Sequence, residues 1–118
     1  MTAESYIAGL LVADTALSAL VGNRIYPDAA AQDTLRPFLL YLRTGTESVA
    51  LLEGATGEEL ATMTLEIYGA TRAQVDQVYQ AVRDALLSAG ESIDTAAATY
   101  DQELDLPGMS LTTTVFIE

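Results

Sequence analysis

The chain has 118 residues, of which 50% are hydrophobic, and its 17 acidic residues against 5 arginines give a net charge of −12. It contains no cysteine, histidine or lysine, which excludes disulfides, thiolate or imidazole metal sites and nucleophile pairs that need histidine. The negative charge also opposes binding to nucleic-acid phosphates and to anionic lipid surfaces.

The N-terminus shows no pattern of an export or membrane segment. The first residues lack the basic flank of a signal peptide. The longest apolar runs, residues 8–13 and 38–42, are far shorter than the ~20 residues that a membrane-spanning helix needs. We therefore predict that the protein is made and folds in a cytoplasm without contacting a membrane.

The chain begins with apolar residues at helical spacing, among them Ile7, Leu11 and Leu17. In one continuous helix, Asp14 would lie in the middle of this apolar stripe, where an unpaired charge is costly. The pattern therefore favours a first helix over residues 3–13 and a second over residues 15–21, with Asp14 as the N-cap of the second. Gly22 ends that helix.

Extended segments follow. Pro27 disfavours a helical Tyr26, so residues 24–27 are expected to be extended. Residues 38–44 form a strand with largely apolar side chains on both faces, which predicts helices on one face and a partner on the other. Residues 45–59 are expected to form a hairpin arm with its turn at residues 54–57, and residues 61–68 alternate as a half-buried strand.

The C-terminal half has a helix and two strands. Thr71 and Gln74 match a capping box, and the helix should run to residue 89, with Gly90 as its stop. A weaker strand over residues 93–106, a turn at residues 107–108 and an alternating strand over 109–118 follow. The expected fold is α+β, one domain over residues 1–118. It has an antiparallel sheet of about four strands with helices packed on one face, in the order α-β-β-α-β-β.

Two sets of carboxylates are candidates for chemistry. Glu58 and Glu59 are adjacent, but neighbours on a strand point to opposite faces, so a solvated loop is favoured over an acid–base pair. A spacing of two puts Asp101, Glu103 and Asp105 on one strand face, where they could hold a cation such as calcium. The central glycine of a calcium loop is absent, so charges that protect an edge strand from pairing, or plain solvation, are favoured.

Three tyrosines, Tyr41, Tyr68 and Tyr100, could form a platform on which bases stack. The basic groove that should accompany such a platform is missing from this acidic chain. Tyrosines with one wet end more often lie at the margin of a core or in a protein interface. A position at the core margin or in a protein interface is therefore favoured over a stacking platform.

Several stretches, in this order and spacing, resemble one family. They are LSALVGNRIYP at residues 17–27, RPFLLY at 36–41, LEIYGAT at 65–71, AVRDAL at 81–86, and YDQE at 100–103 followed by SLT at 110–112. Together they are similar to the tail-completion, or tail-to-head joining, proteins of siphophages, prophages and gene transfer agents. The resemblance covers nearly the whole chain, and the run that ends in Arg24-Ile-Tyr-Pro27 is its most telling part.

The resemblance implies a non-enzymatic structural role in the virion. Members are similar to tail terminators, which form a ring, often six-fold, on the head-proximal end of the tail tube. The implied partners are further copies of the chain, the tail tube protein and the head-completion or connector protein, with no cofactor and no sequence-specific nucleic acid. The implied location is the head–tail junction, and the family has no catalytic residues to carry over.

Candidate contact residues come from the strand and from the arm, since exposed apolar segments usually mark contacts. They are Leu39, Tyr41, Arg43, Val49, Leu51 and Leu52. The alternative interpretation is a small acidic intracellular interaction or adaptor module without catalysis. A ring protein should assemble, whereas an adaptor should stay monomeric or dimeric.

Overall fold

The computed structural model describes residues 2–30, 34–51 and 54–117, and of residues 49–51 and 54–57 it describes only the backbone. The fold is α+β, as predicted, with three helices and five strands in the described residues. The elements are α1 (Ala3–Ala13), α2 (Thr15–Val21), β1 (Ile25–Pro27), β2 (Phe38–Leu51), β3 (Gly54–Tyr68), α3 (Arg72–Ser88), β4 (Thr95–Asp101) and β5 (Leu106–Ile117).

The predicted break between the first two helices is confirmed. The Asp14 carboxylate accepts a hydrogen bond of 2.8 Å from the Leu17 backbone N–H and so caps α2. Gly22 ends α2 with a positive φ of 61°. Among the described residues no single helix is long and apolar enough to cross a membrane, and α1 and α2 meet that test only as a pair bent by 86°.

The sheet has the strand order β1-β2-β3-β5-β4 and is mixed, because β1 runs parallel to β2 while the other pairs are antiparallel. The short β1 is the extended segment expected before Pro27, and it adds a fifth strand to the four that were predicted. Arg24 ties it in place: its Nε donates to the Pro37 carbonyl at 2.9 Å, and its own carbonyl accepts from the Leu39 N–H at 3.0 Å.

The main core lies between the helices and one face of the sheet. Every second residue of β3 from Ala61 to Ile67 is buried there, as the predicted alternation requires. The largest side chains that are fully buried are Ile7, Leu11, Leu17, Val21, Leu39, Met63, Leu65, Ile67, Val75, Val78, Leu86 and Leu111. All three helices thus pack on one face, which confirms the predicted layer arrangement.

The N-terminus of α3 uses a variant of the predicted capping box. The Thr71 hydroxyl accepts from the Gln74 N–H at 3.1 Å, as expected. The Gln74 side chain reaches one residue further back than predicted and accepts from the Ala70 N–H at 2.7 Å. Gly90 follows α3 with a positive φ of 82°, which confirms its role as the stop.

Both predicted turns were wrong. Residues 54–57 lie in β3, because pairing of β2 with β3 continues to Leu51 and Gly54; the connection at residues 52–53 lies outside the described residues. Residues 107–108 lie in β5, and the turn between β4 and β5 is formed by residues 102–105. Gly108 is a strand residue for a packing reason: a Cβ there would lie 2.9 Å from the Ile67 carbonyl oxygen.

Candidate assembly interface

The sheet face without helices carries a small apolar cluster at one end. Its buried members are Phe38, Leu40 and Leu106, with Tyr68 packed against them. The Phe38 and Tyr68 rings are stacked with centroids 5.3 Å apart. Beside this open-face cluster lies a pocket of ≈ 200 Å³, with Arg36 and Asp101 in its lining. It is smaller than the usual range for small-molecule sites, about 300 Å³ and above, and its size suits a single side chain.

The middle of the open face carries threonines, whereas Phe116 lies further along the same face, paired with Leu60, and is 50% exposed. Thr62, Thr64, Thr112 and Thr114 pair across β3 and β5 in two neighbouring rows. Hydroxyl contacts extend the rows outward, with the Thr64 oxygen 3.0 Å from that of Thr44 and the Thr112 oxygen 2.7 Å from that of Thr95. This face therefore presents hydroxyl groups at half-buried positions.

Two tyrosines have a pKa above the ordinary value of 10.0. Burial is the main cause for Tyr68, and the negative charges of Glu66 and Asp101 add to it. Burial also raises the pKa of Tyr6, whose hydroxyl donates to Glu91 at 3.4 Å. Both shifts move the pKa of the phenol further above neutral pH, so neither tyrosine is prepared to act as a base.

The β2–β3 hairpin projects from the body as an arm. Strand β5 pairs with β3 only as far as Glu59 and Ile117, and beyond that point β2 and β3 have no third strand among the residues that the structure describes. We define the arm as residues 48–59. The molecule measures 51 × 29 × 22 Å. A hairpin of two strands is marginal by itself in water, so an arm of this kind is suited to being held by another surface.

The structure places the predicted contact residues of β2 on the helix side. Leu39 has no exposed surface and belongs to the core, so it offers nothing to a partner while the fold is intact. Tyr41 packs against the core, and Arg43 forms an ion pair with Glu4 of α1 through an Nε–Oε1 hydrogen bond of 2.9 Å. Both are half-buried, and contacts through them stay a prediction.

The sequence pattern did not decide which face of β2 the helices cover. Both faces are apolar at residues 38–42, and the helices cover the one that contains Leu39. The side chains of Val49 and Leu51 and the whole of Leu52 lie outside the described residues. A contact role for these three residues stays a prediction.

The three acids of the suspected cation site do not share a strand face. Asp101 is the last residue of β4, whereas Glu103 and Asp105 lie in the following turn. The turn uses them for its own geometry: Asp101 accepts from the Leu104 N–H at 3.0 Å, and the Asp105 carboxylate accepts from the Tyr100 hydroxyl. Within the described ranges, no group of three acidic residues is arranged to hold a metal ion.

The tyrosines of the suspected stacking platform are also apart. Tyr41 pairs with Leu65 and faces the helices, whereas Tyr68 belongs to the open-face cluster. Tyr100 is 54% exposed on β4. Glu58 and Glu59 are successive residues of β3, and such residues point to opposite faces of the sheet.

The strand predicted over residues 93–106 is present as β4, but sequence reasoning missed that it is an exposed outer strand of the sheet. Its residues from Thr95 to Tyr100 are all exposed and carry no charge or proline. Six uncharged residues lie between Asp94 and Asp101, but longer uncharged runs occur at residues 5–13 and 106–117, so no sequence signal distinguished this edge. Arg72 anchors the strand by donating to the carbonyl oxygens of Gly108 at 2.6 Å and Thr99 at 2.9 Å.

Comparison with known proteins matches the chain to a family and to solved structures. The model of a family described as tail completion protein gp17 matches residues 5–118. A chain of a solved structure, the virion of a native gene transfer agent particle, superposes with a TM-score of 0.72 at 22% identity, covering 95% of this chain and 91% of that one. At this identity the superposition establishes a shared fold. No curated protein sequence matches at a significant level.

Proposed function

The chain belongs to the tail completion protein gp17 family, and from that premise we propose that it forms a ring that caps the head-proximal end of a tail tube and joins the tail to the head. Membership makes it a structural protein of a virion tail. The ring, the cap and the absence of catalysis are the proposal. Its partners are further copies of the chain, the tail tube protein and a head-completion or connector protein.

The arm is the observation that carries this proposal. The two-stranded extension of residues 48–59 meets β5 only at its base, through the Glu59–Ile117 pair, and the shape of a 51 Å molecule only 22 Å thick is suited to reaching a neighbour. The β2–β3 register shifts twice, between Arg43 and Gly45 and between Ser48 and Ala50. Such bulges bend a hairpin and increase its twist.

Charge supports the same role. Each chain carries −12, so a ring of several copies has a strongly negative field. Such a ring lets DNA pass without binding its phosphates. The same charge opposes assembly between copies. Association should therefore strengthen as salt screens the repulsion, and weakening of the ring by moderate salt would count against this part of the proposal.

Removal of the arm tests the proposal directly. Ser48 and Glu59 are paired in register, so an Asn-Gly turn can replace residues 49–58 and join them as a two-residue hairpin. We expect a folded chain with an unchanged near-UV spectrum that does not assemble and does not restore tail joining in a host that lacks the natural gene. Electron microscopy of the lysate shows the tails directly.

A full-length variant, Gln80→Asp on the exposed side of α3, is the matched control and should restore joining. A gentler test replaces the predicted contact residues by Leu51→Asp with Leu52→Asp, which should keep the monomer folded and block assembly. Normal joining by both arm variants would remove the arm from the mechanism. A chain that stays monomeric or dimeric under all conditions and joins no tails would instead favour the adaptor interpretation.

A further inference from the structure

The sheet has a free edge on each side. On one side, β1 pairs only with Leu39–Tyr41 of β2, so β2 has no neighbour there from Leu42 to Leu51 within the described part of the chain. On the other side, β4 is the outermost strand over Thr95–Asp101. A strand with a free edge presents backbone N–H and C=O groups that can pair with another strand.

The β4 edge lacks the devices that normally block such pairing. Soluble proteins protect edge strands with charges, proline, bulges or a covering loop. From Thr95 to Tyr100, β4 has no charge and no proline, its pairing with β5 runs without a register shift, and its side chains are exposed. Of the charges that the sequence suggested for this purpose, Asp101 is the last residue of β4, and Glu103 and Asp105 lie in the adjacent turn.

The two free edges run in opposite directions. Strand β2 is antiparallel to β3, β3 is antiparallel to β5, and β5 is antiparallel to β4. It follows that β4 and β2 have opposite polarity. When copies are related by rotation about an axis that lies roughly along the strands, β4 of one copy meets β2 of the next as an antiparallel neighbour, which is the more stable pairing.

We propose that β4 of each copy adds to the free β2 edge of the next copy, so that a second copy of this chain is the occupant and the sheets join around the ring. This inference rests on the proposed ring and assigns its contact. The contact is head-to-tail, because the β4 edge and the β2 edge are different surfaces. The bonded segments are Thr95–Asp101 and a stretch within Leu42–Leu51.

The required offset agrees with the geometry of closed sheets. Within one copy, Ala98 pairs with Met109, Met109 pairs with Ile67, and Ile67 pairs with Leu39. Ala98 and Leu39 therefore lie at the same height along the strands. To meet the middle of the free β2 edge, near Thr46, β4 must shift by about seven residues along the strands. The four strands β2, β3, β5 and β4, spaced ~4.8 Å apart and tilted by about 35–45°, shift by roughly 13–19 Å, or about four to six residues, and the upper end of this range brings Ala98 level with Gly45 on the free edge.

Cysteine cross-linking tests this contact cleanly, because the native chain contains no cysteine. Ala97→Cys on β4 is combined with Glu47→Cys in one variant and with Ser48→Cys in another. Two variants are needed because neighbouring residues point to opposite faces, and only one face brings the Cβ atoms within disulfide distance, about 3.5–4.5 Å. The two positions lie on opposite edges of one sheet, so a disulfide between them joins two copies.

On oxidation, at least one double variant should give a ladder of disulfide-linked oligomers on a non-reducing gel, and Ala97→Cys alone should stop at dimers. The control pair, Ala19→Cys with Glu47→Cys, puts the first thiol on the exposed side of α2 and should give no ladder. Light scattering on the wild-type chain, at the same concentration and salt, measures ring formation independently.

The outcomes separate the two proposals. A wild-type ring without a ladder in either double variant would overturn the β4–β2 contact and leave the ring standing. A ladder that the control pair also produces would overturn the contact as well, since it reports collisions rather than pairing. Absence of any wild-type oligomer, alone or on tails, would overturn the ring and this inference with it.

Discussion

The two faces of the sheet are built from the same five strands but differ in side-chain type and in burial. On the covered face, large apolar side chains such as Leu65, Ile67 and Leu111 are fully buried against the helices. On the open face, threonines are half-buried, and the open-face cluster is a small satellite of three buried residues. Burial of a large apolar side chain contributes about 1.5–3 kcal/mol, so the covered face supplies most of the stability.

This difference suggests that folding and assembly are separable in this chain. Substitutions under the helices should change the free energy of unfolding, whereas changes on the arm and at the sheet edges should change assembly. One residue departs from this division. Thr113 is fully buried on the covered face, and its hydroxyl has no hydrogen-bond partner among the described residues.

The largest effect is expected from a cavity on the covered face. Leu111→Ala should lower the free energy of unfolding by about 2–5 kcal/mol, because it removes a fully buried side chain and leaves a void. Leu35→Ala is the matched control: that side chain is 74% exposed, and the change should stay within about 0.5 kcal/mol. Urea unfolding measures both, and equal effects would contradict the assignment of stability to the covered face.

The cap between α1 and α2 should contribute less. Asp14→Ala removes the acceptor for the Leu17 N–H and should cost about 1 kcal/mol. Asp14→Ser keeps an acceptor at the same position and should restore most of the loss in thermal unfolding. If alanine and serine behave alike, the cap is not what stabilises the bend.

Two adjacent threonines of β5 allow the covered face to be compared with the open face. Thr113→Val removes a buried hydroxyl without a described partner and should raise stability by about 1 kcal/mol, or at least not lower it. Thr112→Val, one residue earlier on the open face, loses a contact with the Thr95 hydroxyl and should give no gain. Chemical unfolding of both variants decides this, and a clear loss in Thr113→Val would indicate a partner for that hydroxyl.

The smallest effect is expected from the ion pair between α1 and β2. The hydrogen bond from Arg43 is the main cause that holds the pKa of Glu4 below its ordinary value of 4.5. A pKa that is lower in the folded state means stability that is present above the unfolded value and is lost as pH falls through the folded value. Since the Glu4 side chain is 45% exposed, the contribution should stay below about 1 kcal/mol.

Unfolding midpoints at pH 7 and at pH 3 check this expectation. Glu4→Gln should be less stable than the wild type at pH 7, and the difference should shrink at pH 3, which lies below the ordinary pKa of 4.5. In an Arg43→Ala background, Glu4→Gln should have little effect at either pH. A difference that persists at pH 3 would point to packing rather than charge.

Local chemistry was sufficient for the parts of the fold that depend on near neighbours. Asp14 interrupts an apolar stripe, Thr71 precedes one, and Gly22 and Gly90 follow one, so the ends of the helices could be predicted from a few residues each. The alternation in residues 61–68 predicted a half-buried strand for the same reason. The resemblance to tail-completion proteins likewise depended on short stretches in order.

The turns needed longer-range information. Gly54 and Gly57, and also Pro107 with Gly108, have the composition of turns, but cross-strand pairing extends through both. Gly108 is required where β5 approaches the Ile67 carbonyl, a contact between residues far apart in sequence. Glycine thus marks a close approach of backbones as readily as a turn, and only the partner strand distinguishes the two.

By itself the sequence determined the element types, the α+β class, the helix caps and the acidic charge, because each follows from composition or from residues within one or two turns of each other. Only the tertiary structure decided which face of β2 the helices cover, since residues 38–42 are apolar on both sides. It also decided that β4 is an uncharged outer strand and that β2 extends beyond β1. Strand order depends on pairing between distant segments, and no local pattern encodes which edges remain free.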